Sequence, residues 1–346
     1  MKNNKKKNID LSIIIPVYNV EKYIRQCLNS VFNQGMKDEN YEIIIINDGT
    51  QDHSIEVIQD IINQHKNITL ISQKNQGVSI ARNNGIEKAS GKYILMLDSD
   101  DLLVENTLSV LLEKALTSKV DLIVANYIEM TDEEILINKN KTLFSSDFTE
   151  KTGEQLLLED LNPRECYLWR TIYRRDFLNK ENISFIPGII FEDIPFVHIC
   201  YLKARKCLTT HQLLYIYRRG NQPSATYNFT EEKAKDLSIA ISKLWEMTNI
   251  KDLNSKIRRK LQDDTFVTFS ILMYAIVYNI DNTRERLFII NNLKQLIPDI
   301  QFRNGIIQRI NSFMFHNMAY TYISIRVAHK KYIKPIIKQV SSIFQQ

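Results

Sequence analysis

The stretch Gly91-Lys92-Tyr93-Ile94-Leu95-Met96-Leu97-Asp98-Ser99-Asp100-Asp101 leads from an apolar strand into three carboxylates within one short turn. Carboxylates this close repel one another unless a cation lies among them. Mg²⁺ or Mn²⁺ would supply that charge, because these ions prefer oxygen ligands and are often shared between one or two protein carboxylates and a diphosphate. The alternative is a helix cap, in which the same side chains accept backbone N–H groups ahead of a helix that starts near Val104.

On both sides of this stretch, apolar strands alternate with amphipathic helices from Leu11 to about Tyr127. This order is typical of an α/β fold with a mainly parallel sheet and right-handed crossovers. Several strands are nearly continuous in Ile and Leu, as expected for strands covered on both faces. The predicted strands are residues 11–15, 41–46, 68–72, 92–97 and 120–126, and the predicted helices are residues 20–32, 52–64, 78–89 and 104–117.

The rest of the chain loses this strict alternation and becomes mainly helical. Apolar residues at three- and four-residue spacing predict helices, whereas one β-rich run predicts a strand at 206–218. The predicted helices are residues 165–177, 193–204, 231–247, 254–279 and 283–296, and residues 311–344 mix aromatics, isoleucines and lysines.

The composition of the 346 residues, 44% hydrophobic and 25% charged, is that of a soluble globular protein. No run approaches the roughly 20 apolar residues of a membrane span, and the basic start lacks the apolar core of a signal peptide, so we expect a cytoplasmic protein. The four cysteines are scattered without zinc spacing, which predicts reduced thiols and no zinc site. Net charge is +5, and no nucleic-acid motif occurs, so nucleic acid is not an expected partner.

Polar residues follow four of the predicted strands: Pro16-Val17-Tyr18-Asn19, Asn47-Asp48-Gly49-Thr50, Asn75-Gln76-Gly77 and Asp98-Ser99-Asp100. The carboxyl ends of parallel strands share one edge of a sheet, so these loops should converge on one crevice. The Asp48 carboxylate could accept the imide N–H of a uracil ring, and the Tyr18 ring could stack on a base. The alternative for Asp48 is an Asx-turn.

Arg82 lies five residues after Gly77, inside the predicted helix 78–89. A helix entered through glycine points N–H groups and its dipole at an anion, and an arginine one turn further adds a planar phosphate ligand. The alternative is an exposed helix arginine paired with Glu87.

In order along the chain, Ile13-Ile14-Ile15-Pro16-Val17-Tyr18-Asn19, Ile45-Ile46-Asn47-Asp48-Gly49-Thr50, Asn75-Gln76-Gly77-Val78-Ser79-Ile80-Ala81-Arg82-Asn83 and Leu97-Asp98-Ser99-Asp100-Asp101 closely resemble the family 2 glycosyltransferases of the GT-A fold. The resemblance implies the GT-A nucleotide-diphospho-sugar transferase fold with a helical C-terminal region. It implies that the first two loops hold the base and ribose, that the third supports the diphosphate, and that the fourth is the Asp-x-Asp metal motif. The implied nucleotide-sugar residues are Pro16, Val17, Tyr18, Asn19, Asp48, Gly77, Arg82, Asp98 and Ser99, and the implied ligands of Mn²⁺ or Mg²⁺ are Asp100 and Asp98.

The resemblance continues to Phe191-Glu192-Asp193, where the family has a Glu-Asp pair that supplies the general base. It implies that Asp193, or failing that Glu192, deprotonates the acceptor hydroxyl. A carboxylate suits this step because the hydroxyl becomes acidic only as it attacks. The alternative is an acidic N-cap on the following helix, and His198 could face the same site or be an ordinary buried or surface histidine.

Two further segments look like those of non-processive members that decorate or build surface polysaccharides: Leu168-Trp169-Arg170-Thr171-Ile172-Tyr173-Arg174-Arg175 and Tyr215-Ile216-Tyr217-Arg218-Arg219-Gly220-Asn221-Gln222-Pro223-Ser224. Trp169 could form part of an acceptor platform or be a core tryptophan, and Arg218 could approach the diphosphate when a loop closes. The Gln-x-x-Arg-Trp motif of the processive synthases is missing.

By this resemblance the chain has a basic N-terminal tail at 1–9, a GT-A catalytic domain at 10–225 and a helical region at 226–346. Residues 10–127 would bind the nucleotide sugar and residues 128–225 the acceptor. The expected function is inverting transfer of one sugar, from a nucleoside-diphosphate donor that we take to be UDP-linked, to a hydroxyl of a lipid-linked or oligosaccharide acceptor. The rival functions are a sugar nucleotidyltransferase and a non-catalytic sugar-binding scaffold.

Basic residues crowd both ends of the chain, which points to an anionic surface. If the C-terminal tail is helical, one side of it is apolar, as in a helix that lies on an anionic membrane. This would make the protein peripheral at the inner face of the cell membrane. The alternative is that the same face packs on the preceding helices or on a second subunit in a homodimer. The apolar residues are Tyr332, Ile333, Ile336, Ile337, Val340, Ile343 and Phe344, and the basic ones are Arg326, Lys330, Lys331, Lys334 and Lys338.

Overall fold

The computed structural model describes residues 9–137, 147–220 and 228–333. The predicted N-terminal tail up to residue 8, the motif residues 221–224 and the tail residues 334–346 lie outside this part of the chain. The described chain divides into two compact units. Among the described residues, the first unit takes 9–137, 147–161, Cys166–Gly188 and 196–220, and the second takes Asn162–Glu165, Ile189–Pro195 and 228–333.

The first unit is built on a sheet that has nine strands among the described residues. Their order is β3-β2-β1-β4-β8-β6-β9-β5, and β7 pairs with β9. The strands are β1 (Leu11–Val17), β2 (Tyr41–Asn47), β3 (Ile68–Ser72), β4 (Tyr93–Met96), β5 (Leu102–Leu103), β6 (Leu122–Thr131), β7 (Phe148–Lys151), β8 (Thr171–Arg174) and β9 (Cys207–Arg219).

Strands β1 to β4 pair with one another in parallel, as predicted, and β6 pairs in parallel with β9. All seven residues of β1 are buried, which accounts for its run of isoleucines, since both faces are covered. The α/β fold with a mainly parallel sheet is confirmed. The fifth predicted strand, β6, does not pair with β4, because β8 lies between them and is antiparallel to both.

The α-helices mostly match the predicted ones, although α1 and α4 begin four residues later than expected and α2 begins seven residues later, after a 3₁₀ turn. They are α1 (Ile24–Phe32), α2 (Gln59–Gln64), α3 (Val78–Lys88), α4 (Leu108–Ser118), α5 (Asp132–Ile137), α6 (Gly153–Gln155), α7 (Arg175–Lys180), α8 (Asp193–Lys203), α9 (Glu231–Thr248), α10 (Ser255–Asn279), α11 (Thr283–Leu296), α12 (Ile306–Asn317) and α13 (Ala319–Ala328). Glu56–Ile58 and Leu168–Arg170 are 3₁₀ turns, and Leu156–Asp160 and His329–Ile333 are π turns.

Two predictions about local structure are wrong. The predicted helix 165–177 contains β8, whose Thr171, Ile172 and Tyr173 are buried. A short buried strand and a helix segment have the same apolar pattern, so periodicity alone could not separate them. The helix cap considered for Asp98 to Asp101 is also wrong, because these residues lead into β5, which pairs with β9.

In the second unit, polar side chains start three long helices. The Thr230 hydroxyl accepts the Lys233 N–H, the Asn254 side chain accepts the Lys256 N–H, and the Asn282 side chain accepts the Arg284 N–H. Such caps satisfy backbone donors that the first turn leaves without partners. Within the described residues, we find no helix with both the length and the apolar character that crossing a bilayer requires.

Gly91 precedes β4 at a point where two backbones meet. A Cβ at this position would lie 2.5 Å from the Ser12 nitrogen and 2.6 Å from the Leu11 carbonyl carbon. Gly91→Ala is therefore expected to lower the free energy of unfolding by about 1–3 kcal/mol, because backbone atoms must move to admit the methyl group. Urea unfolding measures this loss. Gly305→Ala is the control, since nothing lies within 4 Å of its Cβ position, and an equal loss in both variants would contradict the account.

Candidate active site

The first two polar loops are held together at the carboxyl edge of the sheet. Pro16 and Val17 are the last residues of β1, and Asn19 follows with a positive φ of 53°. The Asn19 N–H donates to the Thr50 hydroxyl at 2.8 Å, and the Asn19 side-chain oxygen accepts the Gln51 N–H at 2.9 Å. The neighbouring Tyr18 side chain is 43% exposed, so its ring is accessible to a ligand.

Asp48 fixes the third loop. Its carboxylate is buried and accepts the Gln73 side-chain amide at 2.8 Å, the Gln76 N–H at 2.8 Å and the Gly77 N–H at 2.9 Å. These bonds reach 25 to 29 residues along the chain, so the carboxylate does far more than close a local Asx-turn. Next to it, Gly49 has a φ of +70°, and a Cβ there would lie 2.9 Å from the Asn75 nitrogen. Glycine is needed at this position because the two loops approach so closely.

Asp52 stabilises the second loop. Its carboxylate accepts the Thr50 hydroxyl at 2.7 Å, the Ser54 hydroxyl at 2.5 Å, the Ser54 N–H at 3.0 Å and the Glu21 N–H at 2.9 Å. Desolvation acts to raise the pKa of Asp52, but the hydrogen bonds from Ser54, Thr50 and the backbone outweigh it and lower the pKa from 3.8 to about 2. The loop is therefore held best when Asp52 is ionised.

Asp52→Asn is accordingly expected to destabilise the protein at neutral pH by about 1 kcal/mol, discounted for partial exposure. The folded-state pKa is below the unfolded-state value, so the contribution is complete above about pH 4 and is lost as pH falls toward 2. Urea unfolding of both proteins at pH 7 and at pH 3 measures this dependence. A difference in stability that stays constant or grows at pH 3 would contradict the assignment.

Arg82 joins the third loop to the acidic loop. Its guanidinium is buried and contacts the Asp98 carboxylate at 2.5 Å, and it lies 5.6 Å from the centroid of the Phe185 ring. The alternative of an exposed arginine paired with Glu87 is wrong, because Glu87 contacts Lys88 instead. The predicted phosphate ligand is thus held at the acidic loop by a salt bridge.

The three carboxylates of the acidic loop differ in environment. Asp98 and Asp100 are partly exposed, Ser99 is buried, and Asp101 is buried at 2% exposure. Asp101 accepts the Tyr215 hydroxyl at 2.8 Å and the Arg218 N–H at 2.7 Å. Burial, followed by the negative charges of Asp100 and Asp98, raises the pKa of Asp101 to about 8. Asp101 thus anchors the loop to β9 and leaves its two neighbours at the surface.

Arg218 packs behind the same loop and is buried. Its Nε donates to the Asp100 carbonyl at 2.7 Å, and Nη2 donates to the Gln26 side chain at 2.7 Å. Nη1 forms an ion pair with Asp132, and the guanidinium lies 4.9 Å from the centroid of the Tyr23 ring. In this structure Arg218 supports the backbone of the acidic loop, and its predicted contact with a diphosphate stays a prediction.

Asp98 and Asp100 provide the donor set that a hard divalent cation prefers. Both carboxylates are partly exposed at a strand end. Burial, followed by the negative charges of Asp101, Asp100 and Asp98, raises the pKa of the nearby Cys27 thiol. The described residues contain no group of three or more His, Cys, Asp or Glu side chains that could hold a metal ion by themselves. The residues fit Mg²⁺ or Mn²⁺ shared with a diphosphate, in which the protein supplies one or two ligands.

Trp169 lies inside an aromatic stack. Its ring is 5% exposed and stacks on Tyr215 at 4.0 Å and on Tyr167 at 4.7 Å between centroids. This environment is that of the core tryptophan considered as the alternative. Tyr167 and Tyr217 are the partly exposed rings of the same cluster.

Glu192 and Asp193 belong to the second unit. Asp193 is partly exposed and opens α8, where its carboxylate accepts the Ile194 N–H at 2.8 Å, and Glu192 is buried. The position of Asp193 suits both interpretations, a helix-terminal acid and a base. His198 is buried in the first unit, with its Nδ1 3.9 Å from the Cys166 sulfur.

Sequence reasoning missed several residues that shape this edge. The Tyr215 hydroxyl accepts the Asp98 N–H at 3.2 Å while it donates to Asp101. Gln73 links Asp48 to Asn84, and Asp132 pairs with Arg218 across 86 residues. Tyr215 could have been suspected, since it lies three residues before Arg218 in a quoted motif. The two other residues carried no signal in the sequence.

Comparison with known proteins shows that the sequence of this chain is similar to those of glycosyltransferases. The model of the family described as Glycosyl transferase family 2 matches residues 12–180. A protein of Haemophilus influenzae named as an uncharacterized glycosyltransferase is 43% identical over 230 residues, which cover 63% of this chain and 83% of that protein. The uncharacterized glycosyltransferase EpsJ of Bacillus subtilis is 34% identical over 216 residues, which cover 61% of each chain. The match thus spans less than two thirds of EpsJ.

Among solved structures, residues 1–349 of S. aureus TarS in complex with UDP have the same fold, with a TM-score of 0.71. The similarity covers 93% of this chain and 92% of the TarS chain at 18% sequence identity. At that identity the likeness concerns the fold.

Proposed function

The chain belongs to glycosyl transferase family 2, and from that premise we propose that it is an inverting glycosyltransferase. It moves one sugar from a UDP-linked donor to a hydroxyl of a lipid-linked or oligosaccharide acceptor in cell-surface polysaccharide synthesis. The UDP complex of TarS supports the choice of UDP. Residues 10–225 are the catalytic domain, with donor and acceptor halves at 10–127 and 128–225, and residues 226–346 are the helical region.

The main support for the proposal is that side-chain hydrogen bonds and a salt bridge connect four strand-end loops at one edge of the sheet. The Asn19–Thr50 contacts join the first loop to the second, Asp48 joins the second to the third, and Arg82–Asp98 joins the third to the fourth. A nucleoside diphosphate has a base, a ribose and a charged diphosphate, and such an edge offers a separate contact for each. The exposed Tyr18 ring suits the base, and the polar third and fourth loops suit the diphosphate.

The reaction is a single in-line displacement. The acceptor oxygen attacks the anomeric carbon as the bond from that carbon to the diphosphate oxygen breaks, so the configuration inverts. Asp193 takes the hydroxyl proton during the attack, and Glu192 is the second candidate for this role. A divalent metal, held through Asp100 and Asp98, would neutralise charge on the leaving diphosphate when it is bound. Arg82 orients Asp98 through their salt bridge.

A panel of nucleotide sugars, assayed with Mn²⁺ for released UDP and for pyrophosphate, tests the proposal. Release of UDP that depends on an added acceptor supports glycosyl transfer. Release of pyrophosphate would show a nucleotidyltransferase instead. Binding of UDP with no turnover on any donor and acceptor pair would indicate a sugar-binding scaffold.

A further inference from the structure

Helix α12 is apolar on the side that faces away from the protein. Its buried side consists of Asn311, Ser312 and Phe315. On the opposite side, Ile306 is 77% exposed, Ile310 is 52% exposed and Phe313 is 60% exposed, with Ile307 beside them at 71%. The spacing of three and four residues places Ile306, Ile310 and Phe313 on one face. A surface helix usually presents polar residues there, so this outer face of α12 resembles a surface that something else covers.

The charge of the surrounding sequence indicates what covers it. From Gln301 to Gln346 the chain contains no Asp or Glu, although it contains seven Lys and Arg residues. The whole chain has 45 basic and 40 acidic residues, so the part before Gln301 carries a net negative charge. The exposed apolar residues of α12 therefore lie in the one long segment that has positive charge and no negative charge. This combination fits an anionic partner.

A groove next to the apolar face provides cationic groups. It has a volume of about 460 Å³, and Arg303, Arg309, Phe313 and His316 are among its lining residues. The Arg309 Nε donates to the Arg303 carbonyl at 3.2 Å, and the Arg303 Nε donates to the Gln301 side chain at 2.9 Å. Phe313 belongs both to the groove and to the apolar face. The two arginines therefore lie close to Phe313, one of the exposed apolar side chains of α12.

We propose that the outer face of α12, formed by Ile306, Ile307, Ile310 and Phe313, binds the surface of a membrane that contains anionic phospholipids. The apolar side chains enter the boundary between headgroups and acyl chains, and Arg303 and Arg309 contact lipid phosphates. This surface lies apart from the tail residues 334–346, on which the sequence-based prediction depended. The inference does not rest on the proposed catalytic activity, because lipid binding is measured without any sugar donor.

A second copy of the chain fits the outer face of α12 less well than an anionic membrane does. If two α12 faces met about a twofold axis, Arg303 and Arg309 would meet their own copies or other residues of the same segment. No carboxylate occurs between Gln301 and Gln346 to balance them, and the Asp263 carboxylate, which this segment contacts, already accepts the side-chain amides of Asn304 and Gln308. Anionic headgroups balance the same charges without that difficulty.

The test is co-sedimentation of the full chain with vesicles of phosphatidylcholine and phosphatidylglycerol at a ratio of about 2:1, compared with phosphatidylcholine alone. We expect binding to the anionic vesicles that weakens as salt rises. Ile310→Gln/Phe313→Gln should lower the partition coefficient by about tenfold or more, because two inserted side chains are lost. Phe288→Gln/Leu296→Gln is the matched control, since these side chains of α11 are 50% and 46% exposed.

The proposal is overturned if the wild-type protein does not bind anionic vesicles, or if the α12 variant binds as well as the wild type. The second result would assign binding to other residues, such as Lys334 and Lys338. Equal losses in the α12 and α11 variants would also overturn it. A wild-type dimer that becomes a monomer in the α12 variant, measured by light scattering without lipid, would identify a second copy as the occupant.

Discussion

Asp100→Ala is expected to abolish the Mn²⁺-dependent part of UDP binding and to leave the fold intact. The Asp100 side chain is partly exposed at the strand end. The acidic loop is anchored by other groups, because Asp101 bonds to Tyr215 and Arg218, and Arg218 holds the backbone carbonyl of Asp100, which alanine retains. Removing the carboxylate thus removes a proposed metal ligand with little loss of packing. Without it, one fewer oxygen remains to share the ion with the diphosphate.

Calorimetry with UDP, with and without Mn²⁺, measures this effect, and urea unfolding checks the fold. The affinity of the variant with Mn²⁺ should fall to the value found without the ion. Asp60→Ala is the control, because Asp60 is an exposed carboxylate of α2 that is paired with Arg25 in the same unit. If Asp100→Ala binds UDP with unchanged dependence on Mn²⁺, the assignment of Asp100 to the metal is wrong.

The parallel core could be predicted from sequence because each strand carries its own signal. Residues 11–17 and 41–47 are apolar runs that need cover on both faces, whatever their neighbours are. β8 gives no such signal, since its four residues lie between a 3₁₀ turn and α7. Its antiparallel position between β4 and β6 depends on pairing with residues about 50 to 80 positions away, which a local pattern does not encode.

The sequence predicted which loops form the candidate site, but it did not predict which partners their side chains would contact. Asp48 and Arg82 were singled out by their place after a strand and inside a glycine-led helix. Their partners, the Gly77 N–H and Asp98, could not be chosen over a local turn or Glu87 without the fold. Trp169 shows the opposite case, because a tryptophan in a motif carries no information on whether its faces are covered. Burial between Tyr215 and Tyr167 decides that question.

Asp193→Asn is expected to keep donor binding and to lower turnover by roughly a hundred- to ten-thousand-fold, the usual cost of losing a general base. Asparagine has nearly the same shape and retains the oxygen that accepts the Ile194 N–H at 2.8 Å, so the start of α8 should be preserved. What it lacks is the ability to take a proton from the acceptor hydroxyl. The effect should therefore appear in kcat, whereas UDP affinity should stay at the wild-type value.

Three further variants distinguish a general base from an acidic residue that only stabilises the start of α8. Asp236→Asn changes another partly exposed carboxylate of the second unit, one that accepts the Ile190 N–H at 3.3 Å, and it should keep wild-type turnover. Glu192→Gln tests the second candidate. If Asp193→Asn is fully active and Glu192→Gln is not, the base is Glu192. A purely structural role for Asp193 would instead leave kcat unchanged in Asp193→Asn, which keeps the capping oxygen, whereas Asp193→Ala, which removes it, would lower the stability to urea with kcat unchanged per folded molecule.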